Sequence, residues 1–228
     1  MTNLGEATWT EVEATARRAV VIPLGSCEQH GPHLPFGTDT LIATALADAL
    51  AAARPDDVLV APPVAISASG EHAGFPGTLS IGTDVLADVL VELGRSADWA
   101  TGLVIVNGHG GNADAVARAA SRLAAEGRRI LVWWPPRPTD PRADAHAGWT
   151  ETSLMLHIAP ALVRLSVVGP GESRPLTALA PDLRRAGVRA VSPNGVLGNP
   201  SGASAAHGAR LFDHVVHDLV ARFDEWLR

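Results

Sequence analysis

Short apolar runs alternate along this chain with stretches whose apolar residues recur at helical spacing. The runs are apolar throughout, as buried parallel strands are, and they predict four strands: Ala19–Gly25, Val58–Ile66, Leu103–Val106 and Ile130–Trp134. Helices are predicted around Trp9–Arg17, from Thr38 to before Pro55, from a cap at Thr83, around Val116–Leu123, from a cap at Thr150, and near the C-terminus. This alternation predicts an α/β fold with a mainly parallel sheet and helices on both faces.

The C-terminal helix has the clearest pattern in the chain. Its apolar residues form one wide stripe: Leu211, Phe212, Val215, Val216, Leu219, Val220 and Phe223. Such a stripe is typical of a helix that packs on a core, so we expect this helix to be scaffold. The preceding segment, residues 161–204, is rich in glycine, proline and serine, which predicts short strands and a covering loop.

A dense group of polar side chains follows the first predicted strand. In the stretch VVIPLGSCEQHGPHLPFGTDT, residues 20–40, the chain places Glu28, His30, His33 and Asp39 within twelve positions. Interspersed glycines and prolines exclude a helix there and fix an irregular loop. Carboxylates confined to one small volume repel each other, and a divalent cation offsets this cost. The stretch therefore predicts a metal-binding loop.

Two further polar loops follow predicted strands. His109 lies in NGHGGN directly after the third strand, and His146 and Glu151 lie between the fourth strand and the next helix. The carboxyl ends of parallel strands meet at one edge of a sheet, so we expect the three loops to converge. Histidines and carboxylates without thiolates suit zinc, manganese or Fe(II) at an open catalytic site.

Other readings of these motifs compete with the metal site. The first is that the polar stretch is merely a solvated surface loop. The second histidine-bearing loop, at His109, argues against this. GHGGNA also fits a loose dinucleotide-binding turn, typical of a nucleotide-binding regulatory module, but the strand at residues 130–134 ends without the acidic residue expected to bind a ribose. Cys27 with His30 as its base would make a thiol amidohydrolase, although carboxylates so close make Cys27 a weak nucleophile.

Length and composition limit the fold and the partners. The chain has 228 residues and no linker-like shift in composition, so residues 1–228 are predicted to form a single domain. With 18% charged residues and a mean hydropathy of +0.14, we expect apolar surface to be buried in a homo-oligomer. A net charge of −6 without a basic run excludes nucleic acid and anionic lipid as main partners. A single cysteine and the absence of signal-like or membrane-spanning runs predict a cytoplasmic protein.

Four motifs resemble the creatininase family over nearly the whole chain: PLGSCEQHGPHLPFGTD, SASGEHAGFPGTLSIGT, VNGHGGN and HAGWTETSLMLH. The resemblance implies a creatininase-like three-layer α/β sandwich, a dinuclear metal centre and a homo-oligomer. It implies that Glu28, Asp39 and His109 hold one divalent metal. It also implies that His30, Asp39 and Glu151 hold the other, with Asp39 as the bridge. Zinc or Fe(II) is expected, with manganese as an alternative.

The same resemblance implies roles in catalysis, and two further residues are candidates for substrate binding. His146 matches the histidine that transfers a proton in the family, and Glu151 is a second candidate for moving that proton. His72 and Trp149 are expected to contact the substrate. The reaction implied is metal-dependent hydrolysis of an amide bond.

One position departs from creatininase itself, which has a glutamate two residues after the histidine that His109 matches. This chain has Gly111 there, which argues against creatinine as substrate and leaves Glu151 as the expected replacement ligand. The signatures ADAHAGWTETS and AVSPNGVLGNPSGASA resemble a branch of the family that cleaves a modified precursor peptide near its C-terminus. The resemblance implies release of a dipeptide core derived from valine and tyrosine, for a redox cofactor. The alternative is a cyclic amide hydrolase or deformylase acting on a small metabolite.

Overall fold

Four parallel strands form the sheet of the computed structural model, which describes residues 2–15 and 18–228. The strands are β1 Ala19–Leu24, β2 Val58–Val60, β3 Gly102–Asn107 and β4 Ile130–Trp133. Their order in the sheet is β2, β1, β3, β4, and every neighbouring pair runs parallel. All residues of the central strand β1 are buried, as its continuous apolar sequence predicts. The predicted parallel sheet is therefore confirmed.

Helices cover both faces of this sheet. The described helices are α1 Trp9–Glu13, α2 Thr38–Ala53, α3 Thr83–Ser96, α4 Ala113–Ala125, α5 Trp149–Ile158, α6 Leu176–Val191 and α7 Ala205–Leu227. Helices α2, α5 and α7 share one hydrophobic cluster with the sheet, and α3 and α4 share another. The result is a three-layer α/β sandwich, which confirms the predicted fold class. None of the described helices combines the length and the apolarity needed to cross a bilayer.

The second strand is shorter than predicted. The prediction covered Val58–Ile66, but β2 ends at Val60 and the sequence Ala-Pro-Pro follows. Proline has no N–H to donate to the neighbouring strand, so pairing stops there. Val64 returns to the sheet only as an isolated bridge with Leu24.

The first helix also ends earlier than predicted. It was predicted over Trp9–Arg17, whereas α1 ends at Glu13, and residues 16 and 17 lie outside the described residues. The start of α1 is fixed by a capping box, in which the N–H and the hydroxyl of Thr8 both donate to Glu11 Oε2 at 2.7 Å.

The two predicted threonine caps are wrong. Gly82 and Gly148 precede α3 and α5, while Thr83 and Thr150 lie inside the first turns. At α5 the carboxylate of Asp144 accepts hydrogen bonds from the first two backbone N–H groups of the helix, at 2.5 and 3.1 Å. Asp144 thus satisfies donors that a capping threonine would otherwise serve.

The prediction of short strands in residues 161–204 is wrong. The segment contains short 3-10 turns and helix α6, which kinks at Gly187 with φ 74°. The spacing of Leu176 and Leu179 is helical, but Pro181 and Gly187 in the same stretch obscured this signal. Helix α6 matters for the site, because it packs on the loop at residues 67–80.

Helix α7 carries the predicted apolar stripe, with Val215, Leu219 and Phe223 buried. Near its start it passes very close to α5. A Cβ added at Gly208 would lie 1.9 Å from the carbonyl oxygen of Ser153. Only glycine allows the two helices this approach.

Gly208→Ala should therefore lower the free energy of unfolding by at least about 1 kcal/mol, because the added methyl group forces α5 and α7 apart. Gly169→Ala is the matched control, since a Cβ added there meets nothing within 4 Å. The control should change stability by less than about 0.5 kcal/mol. Urea unfolding followed by circular dichroism measures both variants, and equal midpoints would contradict the close helix contact.

Candidate metal centre

The three predicted loops converge at the carboxyl edge of the sheet. Glu28 and His30 follow β1, His109 follows β3, and Glu151 comes from the first turn of α5. Asp39 lies in the first turn of α2, the helix that follows the β1 loop. The side chains of Glu28 and His30 are fully buried, so the group forms part of the protein interior. The predicted convergence is therefore confirmed.

Asp39 lies between two histidines. Its Oδ1 is 3.0 Å from His30 Nε2, and its Oδ2 is 3.2 Å from His109 Nδ1. The hydroxyl of Ser26 donates to Oδ2 at 2.7 Å and holds the carboxylate in place. A carboxylate with its two oxygens directed at different histidines has the geometry of a bridging ligand.

Glu28 lies at the centre of the histidines. Its Oε1 is 3.3 Å from His72 Nε2 and 3.7 Å from His146 Nδ1, while its Oε2 is 3.1 Å from His109 Nε2. Neither carboxylate oxygen has a hydrogen-bond partner of normal geometry. Buried carboxylate oxygens without partners are rare, because removing them from water costs free energy.

The ring of His30 is oriented by the backbone. Its Nδ1 lies 3.1 Å from the carbonyl oxygen of Glu28, and a carbonyl can only accept, so Nδ1 carries the proton. Nε2 is then the ring nitrogen that faces Asp39 and Glu151, whose Oε2 lies 3.8 Å away. Metal-binding histidines are typically fixed in this way by a backbone carbonyl on the opposite nitrogen.

Glu151 is held by a turn with unusual backbone geometry. Ala147 has φ 51°, a left-handed conformation that residues other than glycine rarely adopt. Its N–H donates to Glu151 Oε2 at 2.6 Å. The neighbouring His146 pairs through its backbone with Leu197 in an isolated antiparallel bridge. The strained turn thus places His146 and Glu151 on the same side, facing the cluster.

Gln29 links two more histidines to the group. Its side-chain nitrogen lies 2.9 Å from His72 Nδ1 and 3.0 Å from the carbonyl oxygen of Gly195. His146 Nε2 lies 2.9 Å from the carbonyl oxygen of Gln29, so Nε2 carries the proton of the neutral ring. His146 Nδ1 is therefore the free nitrogen that faces Glu28.

Two asparagines of the NGHGGN turn tie the loops together. Asn107 donates to the carbonyl of His109 at 2.8 Å, which fixes the turn after β3. Asn112 donates to the carbonyl of Gly25 at 3.2 Å and accepts from the N–H of Ala68 at 3.2 Å. One side chain thus connects the loops after β1, β2 and β3. The glycine-rich turn is used here for packing between loops.

Burial and charge move the pKa values of the cluster in opposite directions. Burial raises the pKa of the Glu28 carboxyl to about 8 and that of Glu151 to about 7. Burial would lower the pKa of His30, but the neighbouring Asp39 outweighs it and raises that pKa to about 10. Burial lowers the pKa of His72 to about 4. The carboxylates therefore depend on nearby positive charge to remain ionised.

These donors fit divalent cations. The cluster contains four overlapping groups of three residues, and within each group one donor atom per residue lies within 4.8 Å of the other two. The groups are Glu28, His30 and Asp39; His30, His146 and Glu151; Glu28, Glu71 and His109; and Glu28, His72 and His146. They are nitrogen and carboxylate oxygen atoms, which zinc, manganese and Fe(II) all accept. A cation also supplies the charge that the unpartnered oxygens of Glu28 require. The residues thus fit a metal centre, and all five predicted ligands lie within this cluster.

The predicted substrate contacts divide into two cases. His72 lies in the cluster beside Glu28. Trp149 is buried elsewhere: its ring packs on His207 at 5.2 Å and under the guanidinium of Arg142 at 4.2 Å. A contact of either residue with a substrate stays a prediction.

Cys27 is placed away from the histidines. Its Sγ contacts the carbonyl oxygen of Gly77 at 4.0 Å, and its backbone bridges to Leu79. His30, its predicted base, is directed at Asp39 instead. This arrangement favours the metal site over a thiol mechanism.

Sequence reasoning missed two contributors, Gln29 and Asp144, and left open whether Glu71 supports the site or is a simple loop group. Gln29 bonds to the ring of His72 and Asp144 to the backbone at the start of α5, and only the folded chain reveals these partners. Glu71 comes from the loop after β2 and lies 3.5 Å from His109 Nε2. The motif SGEH, which pairs Glu71 with His72, was the signal for it.

Comparison with known proteins agrees with this geometry. The family described as "Creatininase: Creatinine amidohydrolase" matches residues 5–223. The mycofactocin precursor peptide peptidase of Mycobacterium tuberculosis is 50% identical over 233 residues, which cover 98% of this chain and 91% of the relative. The creatinine amidohydrolase of Pseudomonas putida is 30% identical over 200 residues, which cover 72% of this chain and 75% of the relative.

A solved structure named "Creatininase Mn" has a similar fold. It superimposes with a TM-score of 0.77 at 27% identity, and the match covers 98% of each chain. The matched family spans nearly the whole chain, and the fold agrees from end to end. The chain therefore belongs to the creatininase family of metal-dependent hydrolases.

Proposed function

We propose that this protein is a metal-dependent peptidase that cleaves the modified mycofactocin precursor peptide near its C-terminus. The proposal rests on the 50% identity to the mycobacterial peptidase over 98% of the chain. Cleavage would release the dipeptide core derived from valine and tyrosine for the biosynthesis of a redox cofactor. The buried group of histidines and carboxylates supports hydrolysis of an amide bond.

Two divalent metals would be held by the residues at the sheet edge. We assign Glu28, Asp39 and His109 to one ion, and His30, Asp39 and Glu151 to the other. The bound ions would activate water and polarise the amide carbonyl. Nitrogen and oxygen donors suit zinc or Fe(II), and manganese also accepts them.

His146 would move the proton that the leaving amine needs. Its Nε2 proton is donated to the carbonyl of Gln29, so Nδ1 is the atom available for proton transfer. Nδ1 faces Glu28 at 3.7 Å and lies within the cluster. Glu151, on the adjacent turn, is the second candidate for this role.

A cavity beside the cluster supports a peptide with apolar groups as substrate. It has a volume of about 320 Å³, and His109 and Glu151 lie on its wall. The rest of the wall is largely apolar and includes Pro135, Leu211 and Val215. A mostly apolar wall with a few polar groups is typical of a small-ligand site.

Residues 1–228 would act as one domain, in a cytoplasmic homo-oligomer. Exposed apolar side chains support association of copies, Trp9 and Leu165 being 73% and 61% exposed.

Incubation of the purified, metal-analysed protein with the modified precursor peptide tests the proposed substrate. Mass spectrometry should show loss of the C-terminal dipeptide core. Uncleaved peptide, together with hydrolysis of a small cyclic amide or formamide, would favour the alternative amidohydrolase activity. Binding of a nicotinamide cofactor without any metal would favour a regulatory module.

Asp39→Ala should reduce the metal content at both positions, because each oxygen of Asp39 faces a different histidine. His30→Ala should mainly weaken one position. Asp48→Ala, on the exposed side of the same helix α2, is the matched control and should keep both ions. Elemental analysis after gel filtration measures the content. Full occupancy in Asp39→Ala would show that the bridging assignment is wrong.

Cys27→Ser should keep most of the activity, because the sulfur lies against the carbonyl oxygen of Gly77 and the metal centre leaves it no catalytic task. The rate of peptide cleavage at saturating substrate measures this. A loss of roughly a thousandfold with unchanged metal content would restore the thiol mechanism.

His146→Ala should retain the metals and the fold but lower the rate by about 10²–10⁴, the usual contribution of general acid–base catalysis. The loss should be smaller on an anilide or ester whose leaving group needs no proton. His217→Ala, at an exposed position of α7, should leave both rates unchanged. Equal losses on both substrates would indicate that His146 positions the peptide, and loss of metal would make it a ligand.

A further inference from the structure

Glu71 reaches the cluster from a loop that the assigned ligands do not use. It lies in the 3-10 turn Gly70–His72, after β2, and its side chain is one-third exposed. Helix α6 packs on this turn: a Cβ added at Gly187 would lie 2.8 Å from the carbonyl oxygen of Glu71. Arg189 donates to the carbonyl of Gly74 and covers the ring of Phe75. The turn is thus held firmly at the edge of the site.

Three oxygen atoms surround His109 Nε2. They are Ala68 O at 3.0 Å, Glu28 Oε2 at 3.1 Å and Glu71 Oε1 at 3.5 Å. One ring nitrogen cannot serve all three oxygen atoms, and Glu28 Oε2 has no hydrogen-bond partner. Two carboxylates that converge on one nitrogen repel each other unless a cation lies between them.

Gly111 leaves the space in which this convergence occurs. A Cβ at position 111 would lie 2.2 Å from Glu71 Oε1 and 2.4 Å from His109 Nε2. Any side chain there would displace one or both groups. The absence of a side chain at position 111 and the presence of Glu71 therefore belong together: the carboxylate arrives from the other loop, into the space that a side chain at position 111 would occupy.

We propose that Glu71 is a metal ligand, which completes with Glu28 and His109 the donor set of one of the two cations. The observation that carries this is the position of its carboxylate beside the unpartnered, fully buried carboxylate of Glu28, with all three donor atoms within 4.8 Å of one another. The inference rests on the proposed metal-dependent function. It adds a ligand that the motif resemblance did not assign.

Glu71→Gln tests this, because it keeps the size of the side chain and removes its charge. The variant should bind about one ion where the wild type binds two. The affinity for the lost ion should fall by more than about 100-fold, beyond the 10–100-fold effect of groups that only orient a ligand. A chelator competition measures the affinities, and the absorption spectrum of the Co(II)-loaded protein should change because one donor is lost.

Arg189→Ala is the matched control, since it removes an anchor of the same loop without touching the carboxylate. It should keep both ions and the wild-type Co(II) spectrum. Thermal unfolding of the metal-free variants should confirm that Glu71→Gln is folded, as expected for a partly exposed side chain.

The two failures are distinguishable. If Glu71→Gln keeps both ions and the Co(II) spectrum, or weakens binding by less than about 100-fold with an unchanged spectrum, Glu71 is not a ligand. An equal loss of metal in Arg189→Ala would likewise overturn ligation in favour of loop structure. If the wild-type protein itself bound no divalent cation, the metal-dependent function would be wrong.

Discussion

The cost of burying carboxylates next to imidazoles governs this structure. Glu28 is fully buried among three histidines, and its two oxygens have no hydrogen-bond partners. Leaving such a charge uncompensated costs several kcal/mol, so positive charge has to be brought to it from elsewhere. The parallel sheet makes this feasible, because it delivers the loops after β1, β2 and β3 to one edge. Asn112, which bonds to Gly25 and Ala68, then holds these loops at a fixed distance.

Helix starts supply part of the compensation. Asp39 and Glu151 lie in the first turns of α2 and α5, where the helix dipole is positive. A carboxylate at such a position gains about 0.3–1 kcal/mol, and up to about 2 kcal/mol when partly buried. Because α2 follows β1 directly, its start lies at the same edge as the β1 loop. The topology of the sheet therefore provides both the ligands and some of the field that keeps them ionised.

The sequence predicted the sheet, the three-layer architecture and the convergence of the loops, because continuous apolar runs identify buried strands well. The ends of some elements were predicted less accurately: β2 stops at Val60 because two prolines interrupt pairing. Helix α6 was missed because Pro181 and Gly187 obscure its helical spacing. The contact of Trp149 with His207 could not be predicted, because the two residues are far apart in sequence. Substrate contacts of His72 and Trp149 stay predictions. Ligand roles, the single-domain assignment, oligomerisation and cytoplasmic location stay predictions.

The residues suited to the chemistry and the segments suited to substrate selection differ in how well the sequence predicts them. The residues suited to hold metal lie at the ends of strands that the sequence identifies clearly, and they fit amide hydrolysis in general. The segments that shape the surroundings, the proline-rich loop at residues 135–138, helix α6 and the start of α7, are those with weaker patterns or long-range contacts. Since a fold can support several substrates through changes in such segments, we expect the substrate to be selected by them. A chain that keeps Glu28, His30, Asp39 and His109 can therefore retain the hydrolytic chemistry while its surrounding segments select a different amide.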